Sequence, residues 1–193
     1  MFYMIYLAAG LSSRYGSNKL LEKIDGKPMY RHLLDILTVM KEEEPHRYEL
    51  VVVTAYDEIE KAAEGLPLKV VRNKNQELGI SHSIRLGIEA CGEIGMHDHV
   101  MLAVADQPYV QEDELFGFIH MYKRSYKGIG CLSYEGVMGN PVIFQGKFVP
   151  ELLALNGDVD GKEVIKEHPQ EILLYEADCA KSLLDIDTPE SIG

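Results

Sequence analysis

Short apolar runs alternate with amphipathic stretches through the first two thirds of the chain. Four runs are rich in Val, Ile, Leu or Tyr and too short for helices, which predicts buried β-strands. They cover residues 2–7, 50–54, 68–71 and 100–105. Between them, apolar residues recur every three or four positions, the spacing that puts side chains on one face of a helix. The three clearest faces are Leu33, Leu34, Leu37 and Met40; Ile80, Ile84, Ile88 and Cys91; and Leu115, Phe118, Ile119 and Tyr122.

The alternation of strands and helices predicts the fold class. Parallel strands need crossover connections, which are right-handed and cover both faces of the sheet with helices. We therefore expect a three-layer α/β/α sandwich around a mostly parallel, Rossmann-like sheet. The remaining predicted elements are a short helix over 59–64, strands over 129–133, 141–144 and 172–175, and a helix over 148–155.

Composition and charge narrow the possible functions. With 193 residues, 46% of them hydrophobic, the chain can build one well-buried core, and we expect a single domain over residues 1–193. The net charge is −12, with 31 acidic against 19 basic residues, which disfavours nucleic acid or an anionic membrane as a partner. Cys91, Cys131 and Cys179 are widely spaced and odd in number, so we expect neither a disulfide framework nor a cysteine zinc site. A reducing cytoplasm is the favoured compartment.

The most informative stretch follows the first predicted strand. Residues 7–19 read LAAGLSSRYGSNK, a small-residue loop that ends in two cations. Gly10 and Gly16 allow close backbone approach to a ligand, while Arg14, Lys19 and loop N–H groups can converge on anionic oxygens. The dinucleotide and Walker patterns do not fit, because five residues separate the glycines and the lysine lies three places after the second. An ordinary surface turn with solvated cations is the alternative.

This loop resembles the L-A-[AG]-G-x-S-x-R-x-G-x-x-K signature of the MobA-like nucleotidyltransferase superfamily, and most closely that of its molybdenum cofactor cytidylyltransferases. Every fixed position of the signature is occupied: Leu7, Ala8, Gly10, Ser12, Arg14, Gly16 and Lys19. The resemblance implies a fold of the nucleotide-diphospho-sugar transferase type and a nucleotide-binding loop that also includes Ala9. Arg14 and Lys19 would act in catalysis by stabilising the transition state.

A carboxylate follows the fourth predicted strand. Asp106 opens the sequence D-Q-P directly after residues 100–105, so it is expected at the same sheet edge as loop 7–19. One such carboxylate can anchor Mg²⁺ against phosphate, since Mg²⁺ typically takes one or two protein carboxylates and keeps several waters. A plain turn at this position is the alternative. The family resemblance implies that Asp106 is catalytic and binds the metal, joined by Asp187 of the closing D-I-D-T-P-E element.

Residues 73–87 follow the third predicted strand and enter a helix at about Ile80. The start of a helix supplies free N–H groups, which suit anion or base recognition. The stretch resembles the superfamily's N-x-x-x-x-x-G-x-x-x-S element, which implies nucleotide binding by Asn73, Gly79, Ser81 and Ser83. Helix capping by serine, with a turn at the glycine, would explain the same residues without a ligand.

Two later segments bear on the second substrate. Residues 139–144 resemble the family's G-x-P-x-x-F segment, which implies acceptor binding by Gly139, Asn140 and Pro141; a hairpin turn without a ligand is the alternative. Residues 156–167 nearly match a calcium-binding loop, but a charged residue stands where an apolar one is usual, which argues against calcium. The same segment resembles the family's G-D-x-G element, although it is one residue longer and lacks the arginine that usually follows.

The resemblance as a whole implies Mg²⁺-dependent nucleotidyl transfer. A phosphorylated acceptor would attack the α-phosphorus of a nucleoside triphosphate and release pyrophosphate. Ala9, where guanylyltransferases usually carry glycine, favours CTP as donor and molybdopterin as acceptor, and a protein partner could receive the product cofactor. Two alternatives stay open: a sugar-phosphate nucleotidyltransferase, and a nucleotide-binding regulatory protein without turnover, which the altered 156–162 segment makes conceivable.

Overall fold

The computed structural model describes residues 1–11 and 18–186. Within these ranges the strands are β1 (Phe2–Ala8), β2 (Lys23–Ile24), β3 (Lys27–Pro28), β4 (Tyr48–Thr54), β5 (Lys69–Arg72), β6 (His99–Val104), β7 (Ile129–Tyr134), β8 (Val137–Gln145) and β9 (Ile172–Glu176). The α-helices there are α1 (Arg31–Glu43), α2 (Asp57–Ala62), α3 (Ile80–Cys91), α4 (Glu112–Arg124), α5 (Val149–Ala154) and α6 (Lys162–Glu167). Among these residues, no helix is both long and apolar enough to cross a membrane.

The central sheet confirms the predicted fold class. Its strands lie in the order β5-β4-β1-β6-β8-β7-β9, and β8 runs antiparallel to both of its neighbours while the other pairs are parallel. The strand predicted over 141–144 is longer than expected, because a hairpin with β7 extends its pairing back to Val137. The apolar pattern does not predict α6, since most of its residues are charged and only Val164 and Ile165 are buried.

Two layers of helices cover the sheet. On one face, α1 and α4 pack against the even-numbered residues of β1, and on the other face α3, α5 and α6 pack against its odd-numbered residues. All residues of β1 are buried, as expected for a parallel strand that is covered on both sides. The apolar faces predicted for α1, α3 and α4 are the faces that enter these two core layers.

The strand register brings the carboxyl ends of the parallel strands level with one another. Leu7 pairs with Val53 of β4 on one side and with Val104 of β6 on the other. The segments that follow β1, β4, β5 and β6 therefore meet along one edge of the sheet. We call this edge the C-terminal rim and define it as residues 8–11, 54–56, 73–76 and 105–107. Open α/β sheets bind their ligands at this edge, so the rim is where a functional site is expected.

Candidate functional site

The loop that carries the sequence signature begins at the C-terminal rim. Leu7 and Ala8 end β1, Ala9 is buried, and Gly10 is exposed. The signature positions Ser12, Arg14 and Gly16 lie outside the described residues, so their part in nucleotide binding and catalysis stays a prediction.

Side chains from neighbouring elements hold the backbone at the start of this loop. The Thr54 hydroxyl donates to the carbonyl of Ala8 at 3.1 Å. The Gln76 amide donates to the next carbonyl, that of Ala9, at 2.8 Å. The Tyr56 hydroxyl donates to the carbonyl after that at 2.5 Å. The first residues of the loop are therefore fixed relative to β4 and to the turn after β5.

Lys19 and Asp106 form an ion pair at the same rim. Lys19 begins a short 3₁₀ turn, Lys19–Leu21, where the Asn18 side chain accepts the N–H of Leu20 at 3.1 Å. The Nζ atom of Lys19 lies 2.9 Å from Oδ2 of Asp106. The lysine side chain is 11% exposed and the carboxylate 29%, so one side of the carboxylate faces solvent. A ligand that enters the rim would meet both charges.

The backbone around Asp106 is held from two directions. The N–H of Ala105 donates to a carbonyl of β1 at 3.0 Å, and the N–H of Ile186 donates to the carbonyl of Asp106 at 3.0 Å. Below the carboxylate, the buried Tyr6 hydroxyl donates to the carbonyl of Tyr30 at 2.8 Å. Burial, followed by the negative charge of Asp106, raises the pKa of Tyr6 well above its ordinary value. Tyr6 therefore stays a neutral hydrogen-bond donor under the site.

Residues 183–185, near the end of the described part of the chain, lie beside the residue that follows Asp106. Gln107 is almost fully buried, and its Nε2 donates to Oδ1 of Asp185 at 2.8 Å and to the carbonyl of Leu183 at 3.3 Å. A second carboxylate thus lies beside the residue that follows Asp106. The sequence favours Asp187 as the second metal ligand; it lies outside the described residues, and that assignment stays a prediction.

Asn73, Ser81 and Ser83 are buried and bonded to protein atoms. The Asn73 amide donates to the Ser83 hydroxyl at 2.9 Å, and the Ser81 hydroxyl donates to the carbonyl of Gly157 at 2.7 Å. Neither serine caps α3, whose N-cap is Gly79 at φ +80 with no side-chain capping bond, so the capping explanation is wrong. These buried side chains connect the segment after β5 and the start of α3 to their neighbours. Their contact with a nucleotide stays a prediction.

The acceptor residues proposed from the sequence lie inside β8. The hairpin between β7 and β8 turns at Glu135 and Gly136, both of which have positive φ, so the turn explanation for residues 139–141 is wrong. Gly139 approaches Leu183 so closely that a Cβ there would lie 2.6 Å from the leucine Cδ2. The absence of a side chain at Gly139 therefore allows Leu183 to pack directly against β8.

Asn140 lines a small pocket beside the loop. The apolar residues of its lining are Leu7, Ile80, Ile84, Leu102, Val104, Val142 and Phe144. The polar residues that line it are Asn140, Asp160 and Lys162. The pocket is shared by one proposed acceptor residue and by Leu7, the first residue of the signature loop, and acceptor binding there stays a prediction.

Residues 156–167 form a loop followed by α6. The loop packs against the start of α3, where the carbonyl of Gly157 accepts the hydroxyl of Ser81 at 2.7 Å. Oδ1 of Asp160 accepts the N–H of Lys162 at 2.9 Å. In the described part of the chain, no group of three or more His, Cys, Asp or Glu side chains could hold a metal ion. The calcium-loop alternative therefore gains no support from this geometry.

Four polar side chains of the C-terminal rim were not predicted from the sequence: Thr54, Tyr56, Gln76 and Gln107. Each lies at the end of a parallel strand or shortly after it. The rule that places ligands at the carboxyl ends of strands was the signal that could have found them. Their partners are mostly backbone carbonyls, and a residue pattern does not encode which carbonyl a side chain will reach.

A family model and several curated proteins match the chain. The model of the MobA-like NTP transferase domain matches residues 4–172. Purine catabolism protein PucB of Bacillus subtilis (strain 168) is 26% identical over 196 residues, which cover 96% of this chain and 91% of PucB. A protein of Thermococcus sibiricus named "Probable molybdenum cofactor guanylyltransferase" is 40% identical over 70 residues, 36% of this chain and 33% of the relative. Bifunctional protein GlmU of Bordetella petrii is 32% identical over 117 residues, which cover 60% of this chain. The matched region spans only 25% of the length of GlmU.

Solved structures share the fold over nearly the whole chain. A nucleotidyl transferase from Methanothermobacter thermautotroptrophicus superposes with a TM-score of 0.77 at 22% identity, covering 99% of this chain and 94% of that one. Rv0371C of Mycobacterium tuberculosis H37Rv, solved in complex with manganese, superposes with a TM-score of 0.67 at 21% identity, covering 98% and 95%. At these identities the likeness shows the fold.

Proposed function

The chain belongs to the MobA-like NTP transferase domain family, and we propose that it transfers CMP from CTP to a phosphorylated acceptor, molybdopterin, with release of pyrophosphate. The observation that carries this proposal is the placement of Lys19 and Asp106, 2.9 Å apart, at the rim where the signature loop begins. A cation can neutralise phosphate charge, and a carboxylate can hold a divalent metal against the same phosphates.

Two observations support the choice of substrates. Ala9 occupies the position where guanylyltransferases of the superfamily usually carry glycine, and it is buried directly after β1. The Thermococcus sibiricus relative is named for the molybdenum cofactor and for guanylyl transfer. The first observation favours CTP through the resemblance to the cytidylyltransferases, whose acceptor is molybdopterin. The second makes GTP the competing donor, and the relative's name also supports a molybdenum cofactor acceptor.

The residues at the rim suit a divalent cation. Asp106 offers hard carboxylate oxygens on a partly exposed side chain, and hard oxygen ligands are those that Mg²⁺ prefers. The manganese complex of a protein with the same fold agrees with this chemistry. We propose that Asp106 and Asp187 hold Mg²⁺, which when bound would neutralise negative charge on the triphosphate.

The chain's own residues would act by positioning and charge. Lys19 is nearly buried, so its ammonium acts through a medium of lower effective dielectric than water and its attraction to phosphate is stronger there. In the reaction, an acceptor phosphate oxygen forms a bond to the α-phosphorus while the bond to the pyrophosphate oxygen breaks. No covalent intermediate with the protein is needed, so alignment of the two substrates is the main contribution of the site.

Pyrophosphate release tests this proposal. The protein would be incubated with Mg²⁺, molybdopterin and each of ATP, CTP, GTP and UTP in turn. We expect the fastest release with CTP, by at least about tenfold over GTP if the loop selects the base. A parallel series with a sugar 1-phosphate as acceptor tests the sugar-phosphate alternative. Nucleotide binding without pyrophosphate in every combination would contradict the proposal and favour a regulatory role.

A further inference from the structure

Three consecutive carbonyl groups at the end of β1 and directly after it, those of residues 8–10, each accept a side-chain hydrogen bond. The donors are Thr54 at 3.1 Å, Gln76 at 2.8 Å and Tyr56 at 2.5 Å. Thr54 ends β4, Tyr56 lies just after it, and Gln76 begins the 3₁₀ turn after β5. All three donors therefore lie on the β4 and β5 side of β1.

This pattern breaks the alternation of a strand. In an extended chain, successive carbonyls point to opposite sides, and β1 follows this rule at its end. The carbonyl of Leu7 accepts the N–H of Ala105 on the β6 side, and the next carbonyl is bonded on the β4 side. Beyond that residue the carbonyls keep facing β4 and β5. Because a trans peptide group is planar, the N–H that follows each carbonyl points the opposite way.

The N–H groups of residues 9–11 are therefore turned toward the β6 side of the rim, where Lys19 and Asp106 lie. Successive N–H groups that face the same side of the chain can donate together to an anionic group. Within the described ranges, none of these three N–H groups donates to a backbone carbonyl. They thus point to the side of the rim on which the Lys19 ammonium lies, and both kinds of donor suit phosphate oxygens.

We infer that Thr54, Tyr56 and Gln76 are positioning residues, which hold three loop carbonyls so that the N–H groups of residues 9–11 face the triphosphate. The inference rests on the proposed function, because it takes the ligand to be a nucleoside triphosphate. None of the three side chains needs to touch the nucleotide. They act by fixing the backbone whose N–H groups contact the nucleotide.

The three side chains form one connected network. The Thr54 hydroxyl also accepts the N–H of Tyr56 at 3.1 Å, and Gln76 Nε2 lies 3.5 Å from the Tyr56 hydroxyl. Thr54 is fully buried, so its hydroxyl is shielded from water that could replace it. Residues of one hydrogen-bond network show non-additive effects when they are changed together. A double variant of Tyr56 and Gln76 should therefore lose less binding free energy for Mg²⁺·CTP than the sum of the losses in the two single variants.

Three variants remove one donor each with little change in size: Thr54→Val, Tyr56→Phe and Gln76→Met. Each should raise the dissociation constant of Mg²⁺·CTP, measured by calorimetry without acceptor, by about threefold to tenfold, the range expected for one lost hydrogen bond. The KM for CTP should rise in parallel, while kcat at saturating CTP changes by less than about twofold. A role in folding alone would not produce this split between KM and kcat.

Matched controls are available elsewhere in the core. Thr38→Val and Tyr122→Phe also remove hydroxyls that donate to backbone carbonyls, at 2.8 and 3.3 Å, far from the C-terminal rim. They should leave nucleotide affinity unchanged, whatever they do to the midpoint of thermal unfolding. Equal affinity of the rim variants and the wild type would overturn the inference, and so would equal losses in rim variants and controls. A wild-type protein that binds no NTP would instead overturn the proposed function, and the inference with it.

Discussion

Asp106 meets Lys19 across 2.9 Å at a point where neighbouring strands end, and this pair is the smallest unit on which the proposed chemistry depends. Asp106→Asn keeps the shape of the side chain and removes its charge. Pyrophosphate release should fall by at least about 100-fold, because both metal binding and charge balance at the phosphates would be lost. The midpoint of thermal unfolding should fall as well, because Lys19 is only 11% exposed and would lose the carboxylate that neutralises it.

Asp35→Asn is the matched control for this change. Asp35 pairs with Lys27 at the same 2.9 Å and also with Arg31 at 2.7 Å, and its side chain is 31% exposed, close to the 29% of Asp106. It lies on α1, outside the residues that define the C-terminal rim. The control should release pyrophosphate at the wild-type rate. A wild-type rate in Asp106→Asn as well would remove the metal assignment.

At this scale the sequence predicts the charged residues better than the residues that place them. Asp106 and Lys19 follow from a strand, a small-residue loop and the rule that ligands bind at carboxyl ends. The structure brings them together as expected. No sequence pattern identifies Tyr56 and Gln76, because each donates to a single backbone carbonyl whose position depends on the packing of three strands.

Helix α3 is bounded by two glycines that occupy similar backbone conformations and differ in their surroundings. Gly79 precedes the helix at φ +80, and Gly92 follows it at φ +78. A Cβ at Gly79 would lie 2.4 Å from the carbonyl oxygen of Gly157, whereas a Cβ at Gly92 would meet nothing within 4 Å. A side chain at Gly79 would therefore be disfavoured both by the positive φ and by the contact with Gly157. A side chain at Gly92 would be disfavoured by the positive φ alone.

Gly79→Ala and Gly92→Ala separate these constraints. Both should lower the free energy of unfolding by about 1–3 kcal/mol, the cost of placing a side chain in this region of φ and ψ. Gly79→Ala should cost at least about 1 kcal/mol more, because the loop at Gly157 must also move away. Denaturant unfolding of the two variants measures the difference. Equal losses would mean that the contact between this loop and α3 is easily displaced.

Element types were predictable where one physical pattern dominates. Strands β1, β4 and β6 carry long apolar runs, because they lie inside the sheet and are covered on both faces, and the three long helices show clear apolar faces. Strand β5 lies at the sheet edge, and its short apolar run was still enough to predict it. The pattern fails at α6, where charged residues dominate, and at the start of β8, where Met138 and Asn140 are only partly buried. Pairing with a neighbouring strand, rather than local pattern, sets the limits of β8.

For the whole molecule, two thiols report on the packing of the core. Burial raises the pKa of Cys91 and of Cys131 from 9.0 to about 12, so both stay protonated and poorly reactive in the folded protein. Cys179 is exposed. At pH 8 a thiol reagent should modify one cysteine rapidly, and Cys179→Ser should abolish that fast phase. Three fast-reacting thiols in the folded protein would contradict the described core.

The same shifts set the direction of the pH dependence of stability. Between pH 9.0 and about 12 the folded protein keeps two protons that the unfolded chain releases. The contribution of these thiols to the free energy of unfolding is therefore present below pH 9.0 and declines as the pH rises through this window. Replacing Cys131 with Ala should make the alkaline decline shallower, as measured by denaturant unfolding at pH 8 and pH 10.

The account as a whole depends on one claim: the C-terminal rim binds a metal–triphosphate complex between the loop after β1 and Asp106. A crystal structure of the protein with CTP and Mn²⁺ tests it most directly, since anomalous scattering locates the manganese independently of the protein. We predict a manganese ion at coordination distance, about 2.1 Å, from the Asp106 carboxylate, with the triphosphate against the N–H groups of residues 9–11. Manganese and triphosphate bound elsewhere, with this rim empty, would contradict the account.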